Sequence, residues 1–288
     1  MIKKYSYIIL GALLATACTE DIDLPLKTSG TRMLVVEGQI TSDTTAQWVK
    51  LGYTADYYDT IDYVVENASV TISDGNNTYE LTEDAREKGL FKTDPGFYGV
   101  PGKTYQLTIS GVDTDEDGES ETYTSESTMP DIPVVDSINV SVVHKFYTDV
   151  LQIGYYAEDD PGLGDAYLYR ANINNTMITD SLHEWSFTDD KLFNGQRLED
   201  EPVIYLVQDI DEYEVKDGDL ITLETSHIPY EYYQFLNDAL WEYYGSDPFG
   251  GNPANIRTNI SGPRQAWGFF TAYAIDRKQR VLKIKVNQ

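Results

Sequence analysis

Tyr105-Gln106-Leu107-Thr108-Ile109-Ser110 decides how this chain is read. Apolar and polar residues alternate strictly, and period two is the mark of a strand with one face buried, because successive side chains leave opposite faces of a sheet. Working outward, Pro101-Gly102 marks a turn on one side, and Val70 and Ile72 alternate with Thr71 and Ser73 on the other side of Asp74-Gly75-Asn76-Asn77. Val49, Leu51 and Tyr53 repeat the pattern upstream. Downstream it returns in Ile138-Val140-Val142, Tyr167-Tyr169-Ala171, Ile221-Leu223-Thr225 and Leu282-Ile284-Val286. Short alternating strands at regular spacing with such turns predict a β-sandwich. Pro130-Asp131-Ile132-Pro133 reads as a stiff extended link, since each proline fixes φ. The expected fold is therefore mainly β. It consists of two β-sandwich domains in tandem, Ig-like or prealbumin-like, over residues 33–129 and 134–288.

One segment of the second domain changes period. Tyr233, Leu236, Leu240 and Tyr243 fall three and four apart, the spacing of a helix face, with Pro229 suited to the first turn and Gly245 to the residue past the end. This predicts a helix over 229–244, followed by a long loop over 245–265 rich in Gly, Pro and Asn. Loops of that length are usually functional or disordered. Phe249 stands between Pro248 and Gly250 with little local context to bury it, so Phe249, Asn252 and Asn255 are candidate partner-binding residues. Tyr57 and Tyr58, in a turn-like stretch between strands, are the better surface candidates among the 23 tyrosines.

The N-terminus points outside the cytoplasm. Lys3 and Lys4 precede an apolar run from Ile8 to Ala17 that is short for a membrane span and ends in small residues. Leu14-Ala15-Thr16-Ala17-Cys18 resembles a lipobox, with Ala15 where Leu is more usual. Residues 1–17 thus read as a lipoprotein signal peptide, Cys18 as the lipidated residue and 18–32 as a tether. Cys18 is the single cysteine, so no disulfide framework is expected, and two acyl chains or more anchor stably. Glu20 and Asp21 follow closely, which resembles the signal that carries Bacteroidota lipoproteins to the outer face of the outer membrane.

A net charge of −27 argues against nucleic acid, which needs clustered Lys and Arg. Three histidines with no metal-ligand spacing, no nucleophile elbow and no phosphate loop give no sign of an enzyme, and no catalytic residue is assigned. Asp113-Thr114-Asp115-Glu116-Asp117-Gly118-Glu119 resembles the first half of a calcium loop. The twelfth position, where a bidentate Glu belongs, is Thr124. Calcium on Asp113, Asp115, Asp117 and Glu119 is weighed against a solvated acidic hairpin tip. No other cofactor is expected.

Val35-Val36-Glu37-Gly38-Gln39-Ile40, Asn67-Ala68-Ser69-Val70-Thr71-Ile72 and Gly96-Phe97-Tyr98-Gly99 are similar, in that order, to the Bacteroidota lipoprotein family known as domain of unknown function four-two-four-nine. So are Asp160-Pro161-Gly162, Tyr167-Leu168-Tyr169-Arg170, Tyr232-Tyr233-Gln234-Phe235-Leu236, Asn252-Pro253-Ala254-Asn255-Ile256 and Gly268-Phe269-Phe270-Thr271-Ala272-Tyr273. Gly262-Pro263-Arg264 departs from the second Gly-rich turn the pattern leads one to expect. Members are commonly encoded beside TonB-dependent receptors, which implies an accessory or ligand-binding role at such an uptake system, on the cell surface. A stand-alone adhesin or glycan-binding module is the alternative. The mature N-terminus should be acylated Cys18. Cys18→Ser should therefore leave the protein uncut or release it from the membrane, and a correctly cleaved, membrane-retained variant would contradict this.

Overall fold

Alternation is borne out where one face meets a core and the other meets solvent or a neighbouring strand. The computed structural model describes residues 32–55, 61, 63–145, 147–209, 213–245 and 256–284. The first half of the chain contributes β1 (Leu34–Thr41), β2 (Trp48–Tyr53), β3 (Ser69–Ser73), β4 (Thr78–Glu80), β5 (Thr82–Glu83), β6 (Leu90–Lys92), β7 (Thr104–Val112) and β8 (Glu121–Thr128). The second contributes β9 (Val135–Lys145), β10 (Thr148–Glu158), β11 (Ala166–Ile173), β12 (Thr176–Met177), β13 (Ser186–Asp189), β14 (Arg197–Val207), β15 (Leu220–Ile228), helix α1 (Tyr230–Tyr244) and β16 (Ala266–Val281). The chain is mainly β, in several sheets, as a sandwich requires.

The strands form a nine-stranded sheet, a four-stranded sheet of order β4-β3-β7-β8, and a three-stranded sheet of order β14-β10-β9. The nine-stranded sheet runs β12-β11-β15-β16-β1-β2-β6-β5, with β13 also on β11. Its centre is β16. Residues from Ala266 to Tyr273 pair in parallel with β1, and those from Ala274 to Val281 pair antiparallel with β15. A tandem of self-contained sandwiches over 33–129 and 134–288 does not describe this pairing, because the last strand of the second half completes the sheet of the first. Of the strand expected over Leu282-Ile284-Val286, Val286 lies outside the described residues, and Leu282 and Ile284 follow the end of β16 without belonging to a strand. β16 ends at Val281, and Leu282 is buried just past it.

Three cores follow from the side-chain alternation. Val36, Leu51, Ile72, Leu107 and Ile109 meet Phe270, Ala272 and Ala274 of β16 in the first. Leu151 and Ile153 of β10 meet Tyr169 and Ala171 of β11 in the second. The third lies on the opposite side chains of β11 and β16, where Leu168, Tyr273 and Ile275 meet Leu236 of the helix. β11 and β16 are therefore covered on both faces, which is why Phe269 to Ile275 is buried without a break.

The helix begins one residue later than 229, with Pro229 as its N-cap, and Gly245 closes it at φ 78°. The described part of the expected loop, 256–265, is ordered by specific bonds. Asn259 donates to the Phe270 carbonyl at 2.7 Å and accepts from the Phe270 N–H at 3.0 Å, imitating a strand partner. Gly262 accounts for the departure in the turn that follows. A Cβ there would run into the Tyr123 ring.

Gly268 carries the tightest backbone approach of β16 to β1. It sits at φ 95°, and a Cβ would overlap the Val36 carbonyl oxygen. Gly268→Ala should lower stability by roughly 2–3 kcal/mol through strain and overpacking, measured by denaturant unfolding. A variant as stable as the parent would show that the β1–β16 seam has slack.

Candidate functional site

Because α1 crosses one face of the nine-stranded sheet, the sheet's outward side chains near it are partly covered, with Glu37 still exposed. Val35, Glu37 and Gln39 leave β1 on the side away from the first core, and Phe269 of β16 lies in register with Glu37. On α1, Tyr232, Phe235, Leu236 and Ala239 share a face by their three- and four-residue spacing. Only Leu236 of the helix is fully buried. The space left between helix and sheet is a cavity of about 600 Å³, within the range of small-molecule sites.

Three rings form its aromatic wall. Phe235 and Phe269 lie 5.1 Å apart, Tyr232 and Phe269 5.3 Å, and Tyr232 and Phe235 stack at 5.9 Å. Trp48 at the start of β2 and Trp185 after the 3₁₀ turn Leu182–Glu184 line other sides. Arg170 enters from β11, with its guanidinium carbon 5.8 Å from the Trp185 ring centre.

Polar groups here are fixed from beneath. Arg170 pairs with Glu224 of β15, whose side chain is 3% exposed. Glu224 also accepts from Arg277 Nε at 2.9 Å, and Arg277 clamps both oxygens of Asp43 at 2.7 and 2.6 Å. Burial works against the charge on Arg170, but Tyr273 and Glu224 more than offset it, so its pKa is raised. Tyr273 donates to Gln39 Oε1 at 2.8 Å, and burial pushes its own hydroxyl up to about 12. Two donors remain open. Arg170 Nε and Trp185 Nε1 are buried with no hydrogen-bond partner among the described residues, and a buried unpaired donor is costly. Glu37 has its carboxyl pKa raised by burial, which Lys50 on the paired strand partly opposes.

Several predicted site residues lie elsewhere. Cys18, Tyr57, Tyr58, Phe249, Asn252 and Asn255 fall outside the described residues. In the acidic loop, Asp113, Asp115 and Asp117 bring one oxygen each within 4.8 Å of one another, and Glu119 is not in that group. Arg264 supplies positive charge there, bonding Asp115 and, at 2.7 Å, Glu121. Gly118 N–H donates to Asp113 at 2.9 Å and Glu119 N–H to Asp117 at 2.8 Å, so backbone groups also serve this hairpin tip. A second carboxylate group was not anticipated. Asp159, Asp165 and Asp190 converge within 4.8 Å, with Asp159 taking the Tyr167 hydroxyl at 2.7 Å and Gly195 N–H at 2.9 Å. His227 meets Asp165 at 3.1 Å. Burial raises the Asp165 pKa, against the pull of His227.

The cavity itself was also not anticipated, because its walls come from six separate stretches of chain. One signal was available. Arg170 stands in a strand whose neighbours are apolar on both faces, and a charge at a covered position implies a partner.

The chain belongs to the family described as Domain of unknown function (DUF4249), whose model matches residues 19–279. No curated protein matches it.

A carboxyl whose folded pKa is raised disfavours folding once pH exceeds its unfolded value, and that cost vanishes below it, where both states are protonated. Glu37→Gln should accordingly raise the melting temperature near pH 7, with the gain fading as pH falls below the ordinary value of 4.5. An equal gain at low pH would mean that the charge on Glu37 is not the cause.

Proposed function

We propose that this chain is a binding protein of the outer membrane, held at the cell surface by lipid on Cys18, and that it serves a TonB-dependent uptake system as an accessory. The cavity under α1 is its ligand site. The observation that carries this reading is the aromatic-lined space of about 600 Å³ left between α1 and the sheet. A helix over a sheet normally closes on its own apolar face. Here the helix leaves room instead, lined by Glu37, Gln39, Arg170 and Asp180 as well as by rings, a mixture of apolar and polar walls that small-molecule sites share. The lipobox-like Cys18 and the acidic residues after it support the membrane assignment. The uptake partner rests on what family resemblance implies.

A second reading, a stand-alone adhesin or glycan-binding module, draws support from the far end of α1. Trp241, Tyr243 and Tyr244 are all more than half exposed there, and the Tyr243 ring stacks on His183 at 5.1 Å. Exposed aromatics of this kind suit contact with a surface or a sugar ring.

Ala239 faces the cavity from α1. Ala239→Trp should fill it and abolish both retention of any small molecule that accompanies the protein from native membranes and uptake through a co-isolated receptor. Membrane retention and the β-type circular dichroism spectrum should not change. Undiminished ligand retention and uptake in the folded variant would rule out this cavity as the site. A mild-detergent isolate that contains no receptor would favour the stand-alone reading.

A further inference from the structure

We infer that His227 is a pH-sensitive latch on the link over 130–133. The ring holds the Asp131 carbonyl only while it and Asp165 share one proton beyond those of a neutral ring and an ionised carboxyl. Loss of that proton frees the link. The cavity under α1 takes no part in it.

The bonding of the ring is the first ground. Nδ1 of His227 lies 3.0 Å from the Asp131 carbonyl oxygen, and Nε2 lies 3.1 Å from Oδ1 of Asp165. A carbonyl oxygen only accepts, so Nδ1 carries a hydrogen. A neutral ring has one N–H, which leaves Nε2 with a lone pair, and an ionised Asp165 has only lone pairs to set against it. Both contacts therefore hold only when a further proton lies between Nε2 and Oδ1, on either atom. Without it the single remaining N–H goes to the carboxylate, because a charge-assisted bond is the stronger, and the Asp131 contact is given up. Residues 130–134 make no other hydrogen bond among the described residues. Ile132 and Val134 are half exposed or more. Pro133 borders a cavity of about 20 Å³ together with Tyr167 and Thr225, so little else holds the link to the sheet.

The charge around the pair is the second ground. Asp159 and Asp190, which converge on Asp165, are 4% and 1% exposed. They accept from the Tyr167 hydroxyl and from the N–H groups of Gly195 and Gly164, and among the described residues no Lys or Arg pairs with any of the three carboxylates. The cations on neighbouring elements are engaged: Arg197 with Asp136, Lys191 with Asp189, and Lys278 with Asp276, which lies on β16 diagonal to His227. The Tyr167 ring lies 5.1 Å from the imidazole, and its hydroxyl stays protonated, because burial and Asp159 push its pKa far above the usual range. Glu158 and Asp160 flank Asp159, and Asp131 lies on the link; all three are exposed carboxylates. The unpaired charges facing the pair are thus negative, which favours a proton there. Burial, with Asp159 and Asp190 adding to it, raises the Asp165 pKa against the pull of His227.

In an unfolded chain a free imidazole loses its proton near about pH 6.5. Above that value the folded chain holds one proton more than the unfolded chain, so stability falls as pH rises until the pair lets the proton go. Below it both states hold the proton and the contribution is complete. The test compares the full chain with Asp165→Asn, both in mild detergent. An amide donates to Nε2 of a neutral ring, so the variant keeps the Asp131 contact without the extra proton. From about pH 6 to about pH 9, the melting temperature of the parent should fall by about 3–5 °C relative to the variant, the size of one lost charge-assisted bond in a chain of this length. Over the same range the Asp131 carbonyl ¹³C resonance should move in the parent and stay fixed in the variant. Ring ¹⁵N resonances at the lower pH should show a hydrogen on Nδ1 of His227 in both. Should Asp165→Asn fail to fold, His227→Gln takes its place in the melting comparison, since it cannot titrate. Parallel melting temperatures across the range, a parent carbonyl resonance that does not move, or an Nδ1 without hydrogen at the lower pH would each overturn the latch.

Discussion

The structure depends on one strand serving two sheets. β16 runs sixteen residues, far longer than the five or six typical of a strand. Its first half lies along β1 and its second along β15. Side chains alternate between faces, so the same run supplies Phe270, Ala272 and Ala274 to the first core and Phe269, Tyr273 and Ile275 to the helix side. Neither half of the chain can bury its apolar surface without this strand. The seam tolerates little change, because at Gly268 the backbone of β16 comes so close to Val36 that no side chain fits. Part of the cavity wall, Gly268 and Phe269, belongs to that same strand, beside Val35 to Gln39 of β1. Ring position at Phe269 is therefore set by packing at Phe270 behind it, which is how a site gains rigidity from a scaffold.

A chain of charges runs beneath the site, from Arg170 through Glu224 to Arg277 and Asp43. Burying such groups is expensive, and an apolar replacement of the same shape often costs nothing. What the network does is fix orientation. Glu224 takes one end of the Arg170 guanidinium, and a planar fork held at one end points the rest in a set direction. The guanidinium carbon then lies 5.8 Å from the Trp185 ring centre. The acidic hairpin tip shows the opposite arrangement. There the sequence motif suggested a cation site, and Arg264, from a turn that Gly262 allows to sit on Tyr123, brings a guanidinium into it.

Legibility followed contact range. β3 and β7 were plain from local alternation because one face of each meets the first core and the other meets no second layer. The helix was plain from its three- and four-residue spacing, to within a residue. β11 and β16 were harder. Tyr167, Tyr169 and Ala171 were read as the buried face of β11, yet Ala166 and Leu168 on the other face are also buried, under the helix. β16 hides for the same reason at its start, and its polar end, Asp276 to Arg280, looks like a loop until β15 is laid beside it. The pairing of β1 with β16 joins residues more than two hundred positions apart, and no local period encodes such a contact. Pro130 and Pro133 did mark a change of sheet, but a stiff link between sheets is not a boundary between domains when a later strand returns across it. The cavity, assembled from distant segments, was illegible for the same reason.

The cavity also has a thermodynamic meaning. A helix that pressed its rings fully onto the sheet would gain transfer energy for each ring and lose no dispersion contacts to empty space. α1 instead buries only Leu236 completely and holds Tyr232 and Phe235 partly buried, facing open volume. Two donors stay unpaired beside them. Open volume beside partly buried rings lowers the stability of the unliganded fold, and a molecule that fills the space reverses that cost. Binding to the folded chain alone then raises stability in proportion to occupancy. A packing defect with no occupant would be expected to collapse or to be lined by apolar groups only, since dry holes in cores are apolar. This one is lined by Glu37, Asp180 and Arg170 as well as by rings, so its polarity is built from several elements at once.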